Sequence, residues 1–164
     1  MYSDAHLYYE DFEPGDEWET PPREITQDEV RAFAELTGDY NPIHLSQEYA
    51  ATTPFGRTIA HGLFTVARAS GMAVQHPKIR TLAVVEIRAV KFMAPVFPGD
   101  SIYVRSRVLD KERRGRGKRG LVTWKREVVN QEGKIVQEGI NVTLVEARDF
   151  PPPKESSVAA ASGQ

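Results

Sequence analysis

The run GLFTVARASGMAVQ, from Gly62 to Gln75, constrains the fold more than any other stretch of the chain. It reads as a helix of about 21 Å at about 1.5 Å per residue. It is apolar on nearly every face and rich in small residues. That pattern belongs to a helix buried all round, not to an amphipathic surface helix. Something must wrap it, and the rest of the sequence has to supply the wrapper.

Four strand-like segments follow: LAVVEIRAVKFMAPV, SIYVRSRVL, GLVTWKREVV and KIVQEGINVTLVE. Ile102, Val104 and Val108 alternate with Arg105 and Arg107, and Val122, Trp124 and Val128 alternate with Lys125 and Glu127, the period of a half-buried strand. FPGD and NQEGK are turn signals between them. DKERRGRGKRG reads as a longer basic hairpin loop, with a solvated tip at Lys111 to Gly120 or a contact for phosphates or an acidic carrier as its two uses. The expected architecture is α+β: a mostly antiparallel sheet around one buried helix. Residues 1–14 read as a loosely held N-terminal arm, 15–147 as the domain, and 148–164 as a disordered tail rich in Pro, Ser and Ala. DEWETPPREIT reads as a short strand that Pro21 and Pro22 confine to an edge.

A formal net charge of −2 gives no electrostatic pull toward nucleic acid. With no cysteine, disulfides and thiolate metal sites are excluded. The acidic start MYSDAHLYYEDFEPGDEW lacks the apolar core of a secretory signal. No apolar run approaches the roughly 20 residues of a membrane span. The expectation is a soluble, cytoplasmic protein.

A second helix is punctuated at both ends. Thr26 and Glu29 form a capping box, Ile25 can staple onto Val30, and Gly38 can take the left-handed conformation that ends the helix. Val30, Phe33, Ala34 and Leu36 supply its apolar stripe. LTGDYNPIHLS follows, and it places Asp39 and His44 on either side of Asn41-Pro42. Pro42 pushes Asn41 out of the α region, so the reading here is an extended turn, with Asn41 and Pro42 structural and a short helix starting at Ser46. Asp39 and His44 are suited to sharing a water and moving its proton; singly, they also fit a helix end and a satisfied loop histidine. Gly62 opens the buried helix, so its amide is an unsatisfied donor at the positive dipole end, fit to hold a developing oxyanion or merely to permit the turn. His61 reads as a positioning residue or a satisfied histidine, grouped with Gly62 on the substrate-binding side of the site. No metal-ligand spacing such as H-E-x-x-H is present, and no metal or separate cofactor is expected.

Together these residues are more specific than any one alone. FAELTGDYNPIHLSQEYAATTPFGRTIAHGLFTVARASGM resembles the MaoC-like dehydratases, the (R)-specific enoyl-CoA hydratase family, whose pattern is G-D-x-N-P-[LIV]-H followed by H-G at the start of the central helix. The strand region with KFMAPVFPGD is similar too, and the resemblance runs from about Asp16 to Glu146. It implies a hotdog fold, an acyl-CoA thioester as substrate with coenzyme A as part of it, and reversible hydration of trans-2-enoyl-CoA to (R)-3-hydroxyacyl-CoA. It matches Asp39 and His44 to the acid–base pair, Gly62 to the amide that polarises the thioester carbonyl, and Ser70 to a helix hydroxyl lining the site. On that reading Asp39 activates the water and His44 completes the relay, with acid and base left open. The resemblance further implies a homodimer joined by sheet edges. The strand from Leu82 to Val96, apolar on both parities, points the same way. The rivals are an acyl-CoA thioesterase, a non-catalytic acyl-CoA binding subunit, and action on acyl carrier protein.

Overall fold

The structure, a computed structural model, describes residues 6–148. Helix α1 (Gln27–Thr37) begins with the expected capping box: Thr26 accepts from the Glu29 amide, and Glu29 accepts from the Thr26 amide. It ends at Gly38, which is left-handed at φ 78°. Ile25 and Val30 are fully buried in one cluster. Leu36, expected in the apolar stripe, is 82% exposed instead, at the rim of a groove between α1 and the Gly62–Gln75 helix that Phe33, Phe64 and Met72 also line.

Two short helices follow, α2 (Pro42–Leu45) and α3 (Gln47–Ala51), and then α4 (Gly62–Gln75). The expected extended turn at Asn41-Pro42 is therefore a helix start. Pro42 takes the first helical position, where its missing N–H costs nothing. Asn41 stays outside the α region, as the following proline requires, and caps α2 by accepting from the Ile43 amide at 3.2 Å.

The strands are β1 (Glu17–Glu19), β2 (Arg23–Glu24), β3 (Thr81–Phe92), β4 (Ser101–Arg114), β5 (Arg119–Asn130) and β6 (Ile135–Glu146). They form one antiparallel sheet in the order β1-β4-β5-β6-β3, with β2 also on β4. Pro21 and Pro22 split the expected edge strand into β1 and β2. Phe64, Ala69, Met72 and Ala73 of α4 pack against Val104, Val128 and Val136 of the sheet. The buried helix has its wrapper, and the fold is the α+β hotdog arrangement.

Two expectations are corrected by the far end of the sheet. The described part of the arm, residues 6–14, is not loose: Tyr9 and Phe12 are buried and join Val108, Val122 and Trp124 in a second core cluster. The Phe12 ring meets Trp124 edge-on at 5.1 Å, and the Trp124 indole donates to Thr143 Oγ1 at 2.8 Å. Nor is Lys111–Gly120 a loop. β4 and β5 stay paired out to Arg114↔Arg119, leaving a tight turn at Gly115–Lys118. Lys111 pairs with Glu13 at 2.8 Å, Arg113 with Glu10 at 3.0 Å, and Arg148 with Asp11. The basic hairpin and the acidic arm are complementary partners, which local sequence could not reveal. The expected tail lies outside the described residues except for Arg148. Among the described residues no helix is long and apolar enough to cross a membrane.

Candidate active site

The site forms where α1 ends and α4 begins. Asp39 sits exposed just after Gly38, and its Oδ1 accepts from the Asn41 amide at 3.3 Å. One turn later α2 carries His44, which is 9% exposed. The His44 Nδ1 lies 2.8 Å from the Ile59 carbonyl oxygen. A carbonyl can only accept, so Nδ1 bears the hydrogen and Nε2 of the neutral ring is left with a lone pair. Burial lowers the His44 pKa below its usual 6.5 and nearby His61 lowers it further, against opposing pulls from the Ile59 bond and Asp39. The ring is thus held neutral, in the tautomer able to take a proton at Nε2.

His61 is the N-cap of α4 and is 2% exposed. Its ring stacks on His44 at 3.8 Å between centroids, and its Nε2 donates to the Asp39 carbonyl at 3.0 Å. Phe33 flanks its other side at 5.1 Å. One residue therefore braces both members of the expected pair. His61 Nδ1 is buried without a hydrogen-bond partner. Donor atoms of Asp39, His44 and His61 lie within 4.8 Å of one another, close enough to share one water. Two imidazoles and a carboxylate are also the donor set that could hold a divalent cation.

Gly62 is the first residue of α4, and its amide is one of the helix's orphan donors. Its φ is not left-handed, so a turn does not demand glycine here. Space is tight instead: a Cβ at residue 62 would lie 2.9 Å from Phe92 Cε1, so the ring would have to shift to admit one. Asp39, His44, His61 and Gly62 all line one cavity of about 790 Å³, whose remaining wall is largely apolar, with Phe33, Phe55, Ile59, Phe92, Val96 and Val136. Ser70, half-buried on α4, is not brought to this cavity.

Sequence reasoning missed the supports. Gln27 donates to the His44 carbonyl at 2.9 Å and accepts from Thr58 at 3.0 Å, tying α1, α2 and the strap before α4 together. Gln137 and Phe92 reach the cavity from β6 and from the end of β3. No local signal marks them, because their partners are distant in sequence.

An acid and an imidazole stand beside a helix N-terminus and share a largely apolar cavity in a hotdog fold. Residues 11–130 match the family model described as MaoC like domain, and the chain belongs to the MaoC-like dehydratase family. It is similar to 3-hydroxybutyryl-CoA dehydratase of Methylorubrum extorquens, 45% identical over 105 residues, which cover 63% of this chain and 65% of that protein, just under two thirds of its length. It is 30% identical to the (R)-specific enoyl-CoA hydratase of Rhodospirillum rubrum over 149 residues, covering 86% of this chain and 93% of the relative. The solved MaoC-like dehydratase from Rhodospirillum rubrum superposes with a TM-score of 0.77 at 26% identity, over 88% of this chain and 99% of that one.

Proposed function

We propose that this protein adds water reversibly to a trans-2-enoyl-CoA, yielding an (R)-3-hydroxyacyl-CoA. The observation that carries the reading is the His44 tautomer, fixed by the Ile59 carbonyl at 2.8 Å, with its free Nε2 in the same cavity as Asp39 and the Gly62 amide. The thioester oxygen accepts from Gly62 N–H. Water, held by Asp39, attacks Cβ while His44 Nε2 takes one of its protons. The π electrons shift to the thioester oxygen, where the amide stabilises the enolate. The imidazolium, stabilised by the Asp39 carboxylate, then returns a proton to Cα, so one water is added in all. His44 is thus the base of the hydration direction, and Asp39 orients the water and supports the charge. His61 and Gln27 position the pair. The chemistry requires no metal or separate cofactor.

The homologues' names favour hydration over hydrolysis. Crotonyl-CoA tests it directly: absorbance at the conjugated enoyl band should fall without release of free thiol. Thiol release at the same rate would make the protein a thioesterase, and neither change would make it a binding subunit or a carrier-protein enzyme.

The active unit on this reading is a homodimer. β3 is an edge strand, and Val84, Val85 and Ile87 on it are 43–56% exposed. Pairing two β3 edges would cover these side chains and satisfy the open backbone groups. Light scattering at micromolar concentration should give twice the 18.4 kDa chain mass; an active monomer would refute the assembly.

A further inference from the structure

The inner face of the sheet carries a charge that the proposed chemistry does not use. Along β5 the residues turned toward the core are Val122, Trp124, Arg126 and Val128. Val128 belongs to the cluster around α4, and Val122 and Trp124 to the cluster under the N-terminal arm. Arg126 falls between them, 6% exposed. It makes no ion pair with any described residue, its Nε has no hydrogen-bond partner, and its nearest recorded aromatic contact is Trp124 at 5.9 Å. Burial alone pushes its pKa down to about 10, so it is a cation at neutral pH.

Its neighbours are equally unsatisfied. Ser106 lies beside it on β4 and Gly139, which contributes no side chain, beside it on β6. The Ser106 hydroxyl is buried without a partner, and so is Oε1 of Gln137. Gln137 lines the catalytic cavity. From Gln137 to Gly139 is two residues along β6, or about 7 Å at roughly 3.3–3.4 Å per residue. The polar row therefore starts at Gln137 on the cavity wall and continues along the sheet to Ser106 and Arg126, which lie just beyond that wall. Buried polar groups are ordinarily paired, and a buried guanidinium without a counterion is the most costly kind to leave alone.

We propose that Arg126 is the counterion for a carboxylate at the far end of the acyl group, so that the physiological substrate is a dicarboxylic acyl thioester. This rests on the acyl-thioester reading above. The thioester is held at the α4 N-terminus, the methylene carbons lie along the apolar wall, and the distal carboxylate meets the guanidinium at the inner end. Arginine takes a carboxylate through two parallel N–H···O bonds. The Ser106 hydroxyl donates to the same group, and the Gln137 amide, turned over, presents its NH₂ to it. A purely alkyl chain would leave all three unpaired.

The test is binding of saturated, unreactive thioesters in matched pairs to the full chain by calorimetry: glutaryl-CoA against pentanoyl-CoA, and adipyl-CoA against hexanoyl-CoA. At least one carboxylate member should bind about tenfold tighter than its alkyl partner or better. Arg126→Met, similar in volume and expected to fold because buried charges are often replaced by apolar residues without loss, should erase that preference and strengthen alkyl binding. Arg126→Lys should retain part of it. Equal or tighter binding of the alkyl member in both pairs overturns the proposal, as does a carboxylate preference that survives in Arg126→Met. Melting curves of both variants verify the fold. Failure to hydrate the corresponding 2-enoyl thioesters, with the binding preference intact, would count against the hydratase reading and leave the carboxylate site standing.

Discussion

Replacing Gly62 with alanine separates the oxyanion role of its amide from any structural role. The added methyl would stand 2.9 Å from Phe92 Cε1 and 3.0 Å from Cζ, where carbons in ordinary contact keep about 3.5–4.0 Å. The ring must move by about 0.5–1 Å. It is 55% exposed at the end of an edge strand, so it can yield cheaply. The backbone at residue 62 is already helical, and alanine gains up to about 0.8–1.0 kcal/mol over glycine in a helix interior, less at the first position. Clash and gain nearly cancel, and the melting temperature should stay within about 4 °C, the shift that about 1 kcal/mol produces in a chain of this size. Activity should behave differently. The methyl crowds the cavity wall beside the Gly62 amide, and losing one such donor costs about 10²–10³ in kcat. The assay is crotonyl-CoA hydration alongside a melting curve. Near-normal turnover in a well-folded Gly62→Ala protein would remove the amide from the mechanism. Recovery of activity in the double variant with Phe92→Ala would place the fault in the displaced ring instead.

Three further outcomes follow from the same geometry. Asp39→Asn and His44→Gln should each lower kcat/KM by about 10²–10⁴ with an unchanged melting curve; turnover near the parent's in either would sink the assignment. Because burial holds the folded-state pKa of His44 below 6.5, the unfolded chain binds a proton that the native state refuses. The stabilisation is complete above about pH 6.5 and is lost as pH falls through the lowered value. The acid limb of kcat/KM should lie below pH 6.5 for the same reason, and His44→Gln should flatten the stability slope there; an acid limb above pH 6.5 would contradict a base held neutral. Phe12→Ala should cost about 3–5 kcal/mol in urea unfolding, because the ring is fully buried against Trp124 and Trp18; a cost under about 1 kcal/mol would restore the arm to a loose segment.

The α4 boundaries, the α1 capping box, the Gly38 stop and the alternation of β4 and β5 were legible because each depends on residues within a few positions of one another. So were Asp39, His44 and Gly62 as a motif. The arm was misread because Tyr9 and Phe12 look like isolated aromatics until Trp124, more than a hundred residues later, covers them. The basic hairpin was misread for the same reason, its acidic partners lying at the other end of the chain. Asn41-Pro42 reads as an extended turn because sequence does not say which helical position a proline will occupy.

The sequence by itself determined a helix too apolar to stand in water, strands able to surround it, and which groups could move a proton. The tertiary structure alone decided how those groups act. The Ile59 carbonyl chooses the His44 tautomer across 15 residues, His61 reaches back 22 residues to the Asp39 carbonyl, and the Phe92 ring comes from the far end of β3 to stand where a Cβ at residue 62 would go. Arg126 has the alternation of an inward-facing strand position and the chemistry of a surface residue. Local pattern records the first, but whether a buried charge finds a counterion depends on what the fold brings to it.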